Sequence, residues 1–162
     1  MDNKILAEID SIANNILADY GKGRTIDKTD VFNQPNKDVI IDILNKLIRI
    51  VYPGYFKDKN YNIYNVKNNL SVIIEDVVYN LNKQIAITLK SNDDYAHFDA
   101  AEIEEEARTL TLKFLKTIPK VREYVETDVE AGYEGDPAAT SRDEVIFCYP
   151  GLYAITVNRL AH

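Results

Sequence analysis

Few residues in this sequence could carry out acid–base or nucleophilic chemistry. The chain has two histidines, His97 and His162, and one cysteine, Cys148. A Ser-His-Asp or Cys-His site would have to use one of these histidines, and His162 is the last residue. No neighbouring base suggests that Cys148 is reactive, so we expect a small, buried, apolar thiol. The sequence therefore predicts no complete catalytic site in this chain.

Acidic residues near His97 raise the question of a metal site. His97, Asp99 and Glu102 carry ligand atoms, but spacings of two and three do not place them on one helix face. Three further glutamates occupy positions 104–106, yet the Glu-x-x-His pairs of helical two-metal sites do not occur in the sequence. Acidic residues are also favoured at the positive end of a helix macrodipole. We therefore expect a helix start followed by a solvated acidic face, and no metal site.

Aromatic residues and lysines alternate between positions 52 and 64. The aromatic residues are Tyr52, Tyr55, Phe56, Tyr61 and Tyr64, and the lysines are Lys57 and Lys59. Such rings can stack on single-stranded bases, but the formal net charge of -7 repels phosphate groups. No stretch approaches the ~20 apolar residues of a membrane span. We expect these tyrosines to pack on the core at a helix–helix connection, with neither nucleic acid nor membrane as a partner.

Two carboxylates, Asp128 and Asp136, stand out against the helical pattern. Asp128 lies on an apolar stripe that begins at Val121, so it must be paired, hydrogen-bonded or beside a solvated cleft. Pairing with an arginine or a backbone donor is favoured over a ligand contact. Asp136 precedes Pro137, which biases it towards an extended backbone, so its side chain should project from a helix end. A carboxylate held in this way can receive an ammonium group, although spacing alone favours a plain turn.

The elements that would position these residues are all helical. Apolar residues recur at three-and-four spacing along nearly the whole chain, which predicts an all-α fold. We expect one compact multi-helix domain over residues 1–162, with about six to seven helices. Their stripes cover residues 5–20, 40–51, 66–89, 103–118, 121–129, 145–147 and 152–160. Pro119 is predicted to separate a helix that starts near Tyr95 from the helix that follows.

Three further features concern the C-terminal region and the compartment. Ser141 and Glu144 have the spacing of a capping box that would begin the short helix. The chain stops at His162 in an apparent helix without a glycine cap, as expected for a cut through a continuing element. Because there is only one cysteine, no intrachain disulfide can form, and the expected location is the cytoplasm.

Residues 127–162 carry a specific combination of short motifs. In chain order they are Asp128-x-x-Ala131, Asp136-Pro137-Ala138, Tyr149-Pro150-Gly151 and Asn158-Arg159-Leu160-Ala161-His162. This quarter of the chain resembles the C-terminal part of the helical N-terminal domain of bacterial serine acetyltransferases. Residues 114–119, which lead into it, also look like this family, and the helical remainder is compatible with it.

The resemblance implies an acyltransferase whose catalytic part lies outside this chain. In the family, a left-handed parallel β-helix follows the helical domain and carries the catalytic histidine, its partner aspartate and the acetyl-CoA groove. That β-helix is absent from this chain, so we expect no catalytic, cofactor-binding or metal-binding residue here and no activity of the fragment. Carried over by motif, Asp136 would bind the ammonium group of L-serine, and Pro137 and Ala138 would shape the pocket wall. L-cysteine, the feedback inhibitor, would occupy the same pocket.

The resemblance also implies partners. The family's helical domain commonly joins two trimers, so we expect a homo-oligomer. Cysteine synthase is implied as a partner of the full-length protein only, because the tail that docks into it is absent here. The alternative function is a free-standing helical oligomerisation or interaction protein without enzymatic activity. A helical di-metal protein is a distant third.

Overall fold

The computed structural model describes residues 3–20, 22, 24, 34–56 and 66–162. Over these ranges the chain forms six α-helices, one short 3-10 turn and no strand, which confirms the predicted all-α fold. The helices are α1 (Asn3–Tyr20), α2 (Lys37–Val51), α3 (Val66–Lys90), α4 (Ala100–Gly135), α5 (Arg142–Cys148) and α6 (Pro150–Ala161), and the 3-10 turn is Asp93–Tyr95. None of the helices in the described ranges combines the length and apolar character needed to cross a bilayer.

The chain divides into two compact units, residues 1–34 and 35–162. The first contains α1, which is helical as its stripe predicts. The apolar side chains of that stripe remain 46–54% exposed, and they are Ile5, Ile9, Ile12, Ile16 and Tyr20. Gly21 and Gly23, which could end this helix, lie outside the described residues. A single domain over residues 1–162 stays a prediction.

In the second unit, α2 to α6 share one apolar core. Each helix contributes buried residues from the stripe that the sequence shows, which removes apolar surface from water. The buried members are Ile43, Leu47, Ile48, Val51, Tyr52, Val77, Ile118, Val121, Val125, Val129, Val145, Leu152 and Leu160. A smaller cluster packs the end of α3 on the start of α4 through Ala86, Leu89, Ile103 and Ala107.

Helix α4 is continuous through Pro119. The prediction that this proline separates two helices is therefore wrong. Proline removes the N–H that would bond to the carbonyl of Leu115, and it disfavours a helix interior by ~3 kcal/mol relative to alanine. Ile118 and Val121 flank Pro119, and both are buried in the core. Packing on both sides of the proline holds the backbone helical against this local cost.

The start of α4 also differs from the prediction. Tyr95 belongs to the 3-10 turn, and the helix begins later, at Ala100, because Asp99 caps it. The Asp99 Oδ1 accepts hydrogen bonds from the N–H groups of Ala101 (2.7 Å) and Glu102 (2.9 Å). The Glu102 carboxylate accepts one in return from the N–H of Asp99 (2.7 Å), which completes a capping box.

After α4, the two short helices α5 and α6 pack against it. Val145 of α5 is fully buried opposite Gly132 of α4. A Cβ built at Gly132 would lie 3.0 Å from Val145 Cγ1, so glycine is what permits this close approach. On α6 the stripe prediction is partly wrong, because Ile155 is 45% exposed and Thr156 is buried in its place. A polar residue is accommodated there because its hydroxyl donates to the carbonyl of Leu152 (2.9 Å).

Candidate functional site

Asp136 is the residue immediately after α4, and it leaves the helix as the following proline predicts. Its backbone is extended, with φ -114° and ψ 106°. Its carbonyl accepts a hydrogen bond from the N–H of Ala139 (3.0 Å), which closes a turn over Pro137. Within that turn, Asp136 Oδ1 accepts from the N–H of Ala138 (2.9 Å). The side chain therefore projects from the helix end and is held by its own turn.

The second oxygen of Asp136 is held by Tyr149. The Tyr149 hydroxyl donates a hydrogen bond of 2.6 Å to Asp136 Oδ2. This bond and the Ala138 N–H lower the pKa of Asp136. The same bond raises the pKa of the Tyr149 phenol to about 12. Both shifts favour a charged carboxylate beside a neutral phenol, so Asp136 carries a negative charge at neutral pH.

A second carboxylate, Glu144, lies near this turn. Its side chain accepts hydrogen bonds from the backbone N–H (2.8 Å) and the hydroxyl of Thr140. These bonds lower the pKa of Glu144, while the charge of Asp136 opposes the shift. Two ionised carboxylates close together favour a cationic partner over an anionic one.

The capping box predicted at Ser141 is only half formed. Ser141 Oγ accepts from the N–H of Glu144 (3.1 Å), as expected of an N-cap. The Glu144 side chain, however, turns to Thr140, one residue before the cap. The prediction was therefore right about the cap and wrong about the reciprocal bond. Thr140 supplies two donors to one carboxylate oxygen, whereas the backbone of Ser141 would supply a single N–H.

Arg142 braces α5 against α4. Its guanidinium pairs with Glu130 through two nitrogens, one at 2.6 Å, and lies over the ring of Tyr133 at 4.5 Å from the centroid. The hydrogen bond from Arg142 lowers the pKa of Glu130. This cation is thus bound on the α4 side, and among the described residues the donors to the Asp136 carboxylate are the neutral groups of Ala138 and Tyr149.

Asp128 is paired with Arg159 of α6, which confirms the favoured interpretation. The guanidinium donates to both carboxylate oxygens, at 3.1 Å from Nε and 3.0 Å from Nη2. The Asp128 side chain is only 15% exposed, and such a carboxylate needs a partner of this kind. The pair also connects two of the short motifs, since Asp128 opens the first and Arg159 belongs to the last.

The structure thus brings Asp136 and Tyr149 together, and it leaves Pro137 and Ala138 exposed beside them. We refer to residues 136–138 with Tyr149 as the Asp-Pro-Ala corner. The sequence marked Tyr149 only as part of a motif and gave it no role. A signal was present in Pro150, since a proline at the first helical position indicates that the preceding residue lies at a chain reversal. Substrate binding by Asp136, Pro137 and Ala138 stays a prediction.

The residues considered for a metal site serve to begin α4. Asp99 and Glu102 use their carboxylates in the capping box, so this acidic segment does begin a helix, although later than the predicted start near Tyr95. His97 is exposed, and its ring lies edge-on to Phe98 at 4.7 Å. Within the described ranges, no group of three or more His, Cys, Asp or Glu side chains is placed to hold a metal ion.

The prediction of a buried Cys148 is wrong, because its thiol is exposed. Cys148 is the last residue of α5, and this short helix buries Val145 instead. Phe147, the residue before Cys148, is likewise 57% exposed.

The aromatic residues after α2 pack as predicted wherever they are described. Tyr52 is buried, and Tyr55 and Phe56 pack against the core. The rings of Tyr55 and Phe56 both contact Phe147 of α5, at 5.3 and 5.9 Å between centroids. Tyr55 also donates a hydrogen bond of 2.6 Å to Asp143. Tyr61, Tyr64, Lys57 and Lys59 lie outside the described residues.

Two surface grooves lie away from the Asp-Pro-Ala corner. One, of about 500 Å³, is lined mainly by apolar residues of α2, α3 and α4. The other, of about 540 Å³, lies between α4 and α6. Asp136 lines neither of these two grooves, and its half-buried side chain lies beside the exposed Pro137 and Ala138.

Over the described residues the fold is all-helical, and it holds the charged Asp136 carboxylate at the end of α4 through Ala138 and Tyr149. Parts of the chain are similar in sequence to two known proteins. The chain is 31% identical over 131 residues to a plasmid-borne serine acetyltransferase of Synechococcus elongatus, covering 79% of this chain and 41% of that relative. It is 57% identical over 35 residues to a serine acetyltransferase of Mycobacterium tuberculosis, covering 22% of this chain and 15% of that relative. No protein-family model matches the chain.

These similarities confirm the resemblance seen in the sequence: the chain is related to serine acetyltransferases. It spans less than half the length of either relative.

Proposed function

We propose that this chain is the helical domain of a serine O-acetyltransferase. In this role it contributes to oligomerisation and forms one wall of the pocket that binds L-serine and the inhibitor L-cysteine. The complete enzyme transfers the acetyl group of acetyl-CoA to L-serine, giving O-acetyl-L-serine and CoA, the first step of cysteine biosynthesis. The names of both relatives support this assignment.

The observation that carries the proposal is the state of the Asp136 carboxylate. It is ionised, it accepts one hydrogen bond on each oxygen, and it lies in the motif that marks the family resemblance. An ionised carboxylate has about four acceptor positions. Two are therefore left for an ammonium group, which binds carboxylates through charge-assisted hydrogen bonds.

The exposure of Pro137 and Ala138 beside Asp136 fits a pocket that is shared with another domain. The general base would come from the β-helix, whose histidine removes the serine hydroxyl proton as the oxygen attacks the thioester. In this scheme Asp136 binds and orients the amino acid, and the chain alone is inactive.

The test joins this chain to the β-helix domain of a serine acetyltransferase and measures O-acetylserine formation. Asp136→Asn should raise the KM for L-serine by tenfold or more, since a hydrogen bond to a charged group contributes roughly 1.5–3 kcal/mol. The KM for acetyl-CoA should stay the same, and inhibition by L-cysteine should weaken. Glu126→Gln, an exposed acid on α4, is the matched control and should change none of these values. An unchanged KM for L-serine in Asp136→Asn would refute the role of Asp136.

The alternative, an interaction protein without enzymatic activity, is favoured by one observation. The apolar stripe of α1 is half-exposed, as expected of a surface that associates with another protein. The joined protein separates the two functions. If it folds and assembles but forms no O-acetylserine, the alternative stands.

A further inference from the structure

Tyr149 occupies a junction at which its backbone is held from both sides. Its N–H donates to the carbonyl of Val145 (3.3 Å) and ends α5. Its carbonyl accepts from the N–H groups of Leu152 (3.1 Å) and Tyr153 (3.3 Å) and so begins α6. Pro150 follows at the first position of α6 and restricts the junction further. The direction in which the Tyr149 side chain leaves the backbone is therefore set by two helices.

From this junction the Tyr149 side chain reaches the end of a third helix. Its ring packs against the core, and its hydroxyl meets Asp136 Oδ2 just beyond α4. The other oxygen, Oδ1, accepts a hydrogen bond from the N–H of Ala138. Two donors on two oxygens determine the plane of the carboxylate. The terminal torsion of an aspartate is otherwise broad and roughly two-fold, so one donor alone would leave the plane loosely defined.

We propose that Tyr149 is a positioning residue for the amino-acid substrate, whose hydroxyl orients the Asp136 carboxylate so that its remaining lone pairs face the substrate's ammonium group. This inference rests on the proposed function of Asp136. Tyr149 acts through Asp136 and does not itself touch the substrate. Orientation of this kind matters because a misdirected carboxylate makes weaker hydrogen bonds to the ammonium group, which lowers the affinity for the amino acid.

The charge states at the corner support this role. Because the pKa of Tyr149 is raised to about 12, its phenol keeps its proton and remains a donor throughout the neutral pH range. A tyrosine donor also adds no charge, so Asp136 keeps its full attraction for a cation. An arginine or lysine in that position would compete with the substrate's ammonium group for the same carboxylate.

A purely structural tyrosine would show the same packing, so the variants must keep the ring. Tyr149→Phe removes only the hydroxyl. Tyr153→Phe is the matched control, because Tyr153 lies on α6, the helix that begins after Tyr149, and is 51% exposed. Thermal unfolding of each variant shows whether the fold is kept.

The first measurement uses the chain by itself and does not depend on any activity. Carboxyl-carbon NMR titration should give Asp136 a pKa below the usual aspartate range in the unaltered chain. In Tyr149→Phe the pKa of Asp136 should rise towards that range, and in Tyr153→Phe it should not change. An ordinary Asp136 pKa in the unaltered chain, or the same lowered pKa in Tyr149→Phe, would overturn the inference.

The second measurement uses the chain joined to the β-helix domain. Tyr149→Phe should raise the KM for L-serine about three- to tenfold, less than the loss of a direct hydrogen bond from the substrate to a charged group, because Tyr149 acts only through Asp136. The kcat at saturating L-serine and the KM for acetyl-CoA should change less than about twofold, within the range of ordinary surface effects. The acid limb of the pH profile of kcat/KM for L-serine should move to higher pH, because the less stabilised Asp136 carboxylate is protonated at a higher pH.

The double variant separates this inference from the proposed function. If Tyr149 acts only through Asp136, then adding Tyr149→Phe to Asp136→Asn should raise the KM no further. An effect of Asp136→Asn with none of Tyr149→Phe overturns the positioning role and leaves the proposed function standing. No effect of Asp136→Asn overturns the proposed function itself. Equal, additive effects would show that Tyr149 acts independently of Asp136, which also contradicts the inference.

Discussion

The hydroxyl of Tyr52 donates a hydrogen bond of 2.7 Å to Thr156 Oγ1 in the core, and this bond connects the end of α2 to the middle of α6. The direction of donation follows from the second contact of Thr156, whose hydroxyl proton is directed to the carbonyl of Leu152. Both side chains are buried, at 8% and 1% exposure. This buried hydrogen bond therefore joins the first helix of the core, α2, to the last, α6.

Tyr52→Phe should destabilise the fold by about 1 kcal/mol, because it removes a buried hydrogen bond and keeps the ring. Urea unfolding followed by far-UV circular dichroism measures the change. Tyr153→Phe, which alters an exposed tyrosine, is the control and should leave the midpoint in place. Equal stability of the Tyr52→Phe and Tyr153→Phe proteins would contradict this assignment of the bond.

Gly132 and Val145 should show strong coupling. Gly132→Ala gains up to ~1 kcal/mol of helix propensity. Its Cβ, however, would lie only 3.0 Å from Val145 Cγ1, and overpacking of this kind costs ~1–3 kcal/mol. We expect net destabilisation of about 1 kcal/mol by this change, and of about 2 kcal/mol by Val145→Ala. The double variant should lose less than the sum, by roughly 0.5 kcal/mol or more, since the smaller residue makes room for the new methyl group.

The control for this pair is Gly135→Ala. A Cβ at Gly135 meets nothing within 4 Å, so this change should be neutral or slightly stabilising. Additive losses in the Gly132 and Val145 double variant would show that the two residues do not compete for space.

Pro119→Ala should stabilise the protein. The alanine restores the N–H for the carbonyl of Leu115 and removes a poor helix former, but it also frees the unfolded chain. The balance is a gain of roughly 2 kcal/mol. Thermal unfolding should show a higher midpoint for Pro119→Ala. Pro35→Ala is the control, because Pro35 lies before α2, and it should not raise the midpoint. A lower midpoint for Pro119→Ala would mean that the proline ring itself packs favourably.

The pH dependence of stability should reflect the bond between Asp136 and Tyr149. The pKa of Tyr149 is raised by folding, so its contribution is complete below the ordinary tyrosine pKa near 10 and is lost as the pH rises towards about 12. The pKa of Asp136 is lowered by folding, so its contribution is present above the ordinary aspartate pKa near 4 and is lost as the pH falls below it. Stability should therefore fall at both extremes.

The variants Tyr149→Phe and Asp136→Asn test this dependence. In Tyr149→Phe, both the acid and the alkaline losses should become smaller. Tyrosinate absorbance should show one fewer phenol with a raised pKa in Tyr149→Phe. In Asp136→Asn the phenol of Tyr149 should titrate at a lower pH than in the unaltered chain. Identical pH profiles for the unaltered and variant chains would contradict the bond.

The stripe of α1 should drive self-association if this chain oligomerises as proposed. Ile9→Asp with Ile16→Asp places charge on two half-exposed apolar positions, and sedimentation should show smaller assemblies. Asn14→Asp adds charge to the same helix outside the stripe and should leave the assembly unchanged. If the α1 double variant assembles like the unaltered chain, association must use another surface.

The sequence by itself determined the features that depend on neighbours along the chain. The helical stripes, the N-cap at Ser141 and the extended backbone of Asp136 follow from periodicity, side chain–backbone bonds and the restriction that proline imposes. These effects act within a few residues, so they can be recognised without knowing the fold. For the same reason, the need of Asp128 for a partner could be predicted, although the identity of that partner could not.

Tertiary packing decided the rest. It brings Arg159 to Asp128 and Tyr149 to Asp136. It also buries Thr156 and leaves Cys148 and Ile155 exposed. It also kept α4 continuous through Pro119, because the burial of Ile118 and Val121 outweighs the local preference of one residue. Such outcomes depend on which helix faces meet, and these faces come from segments that lie far apart in the chain.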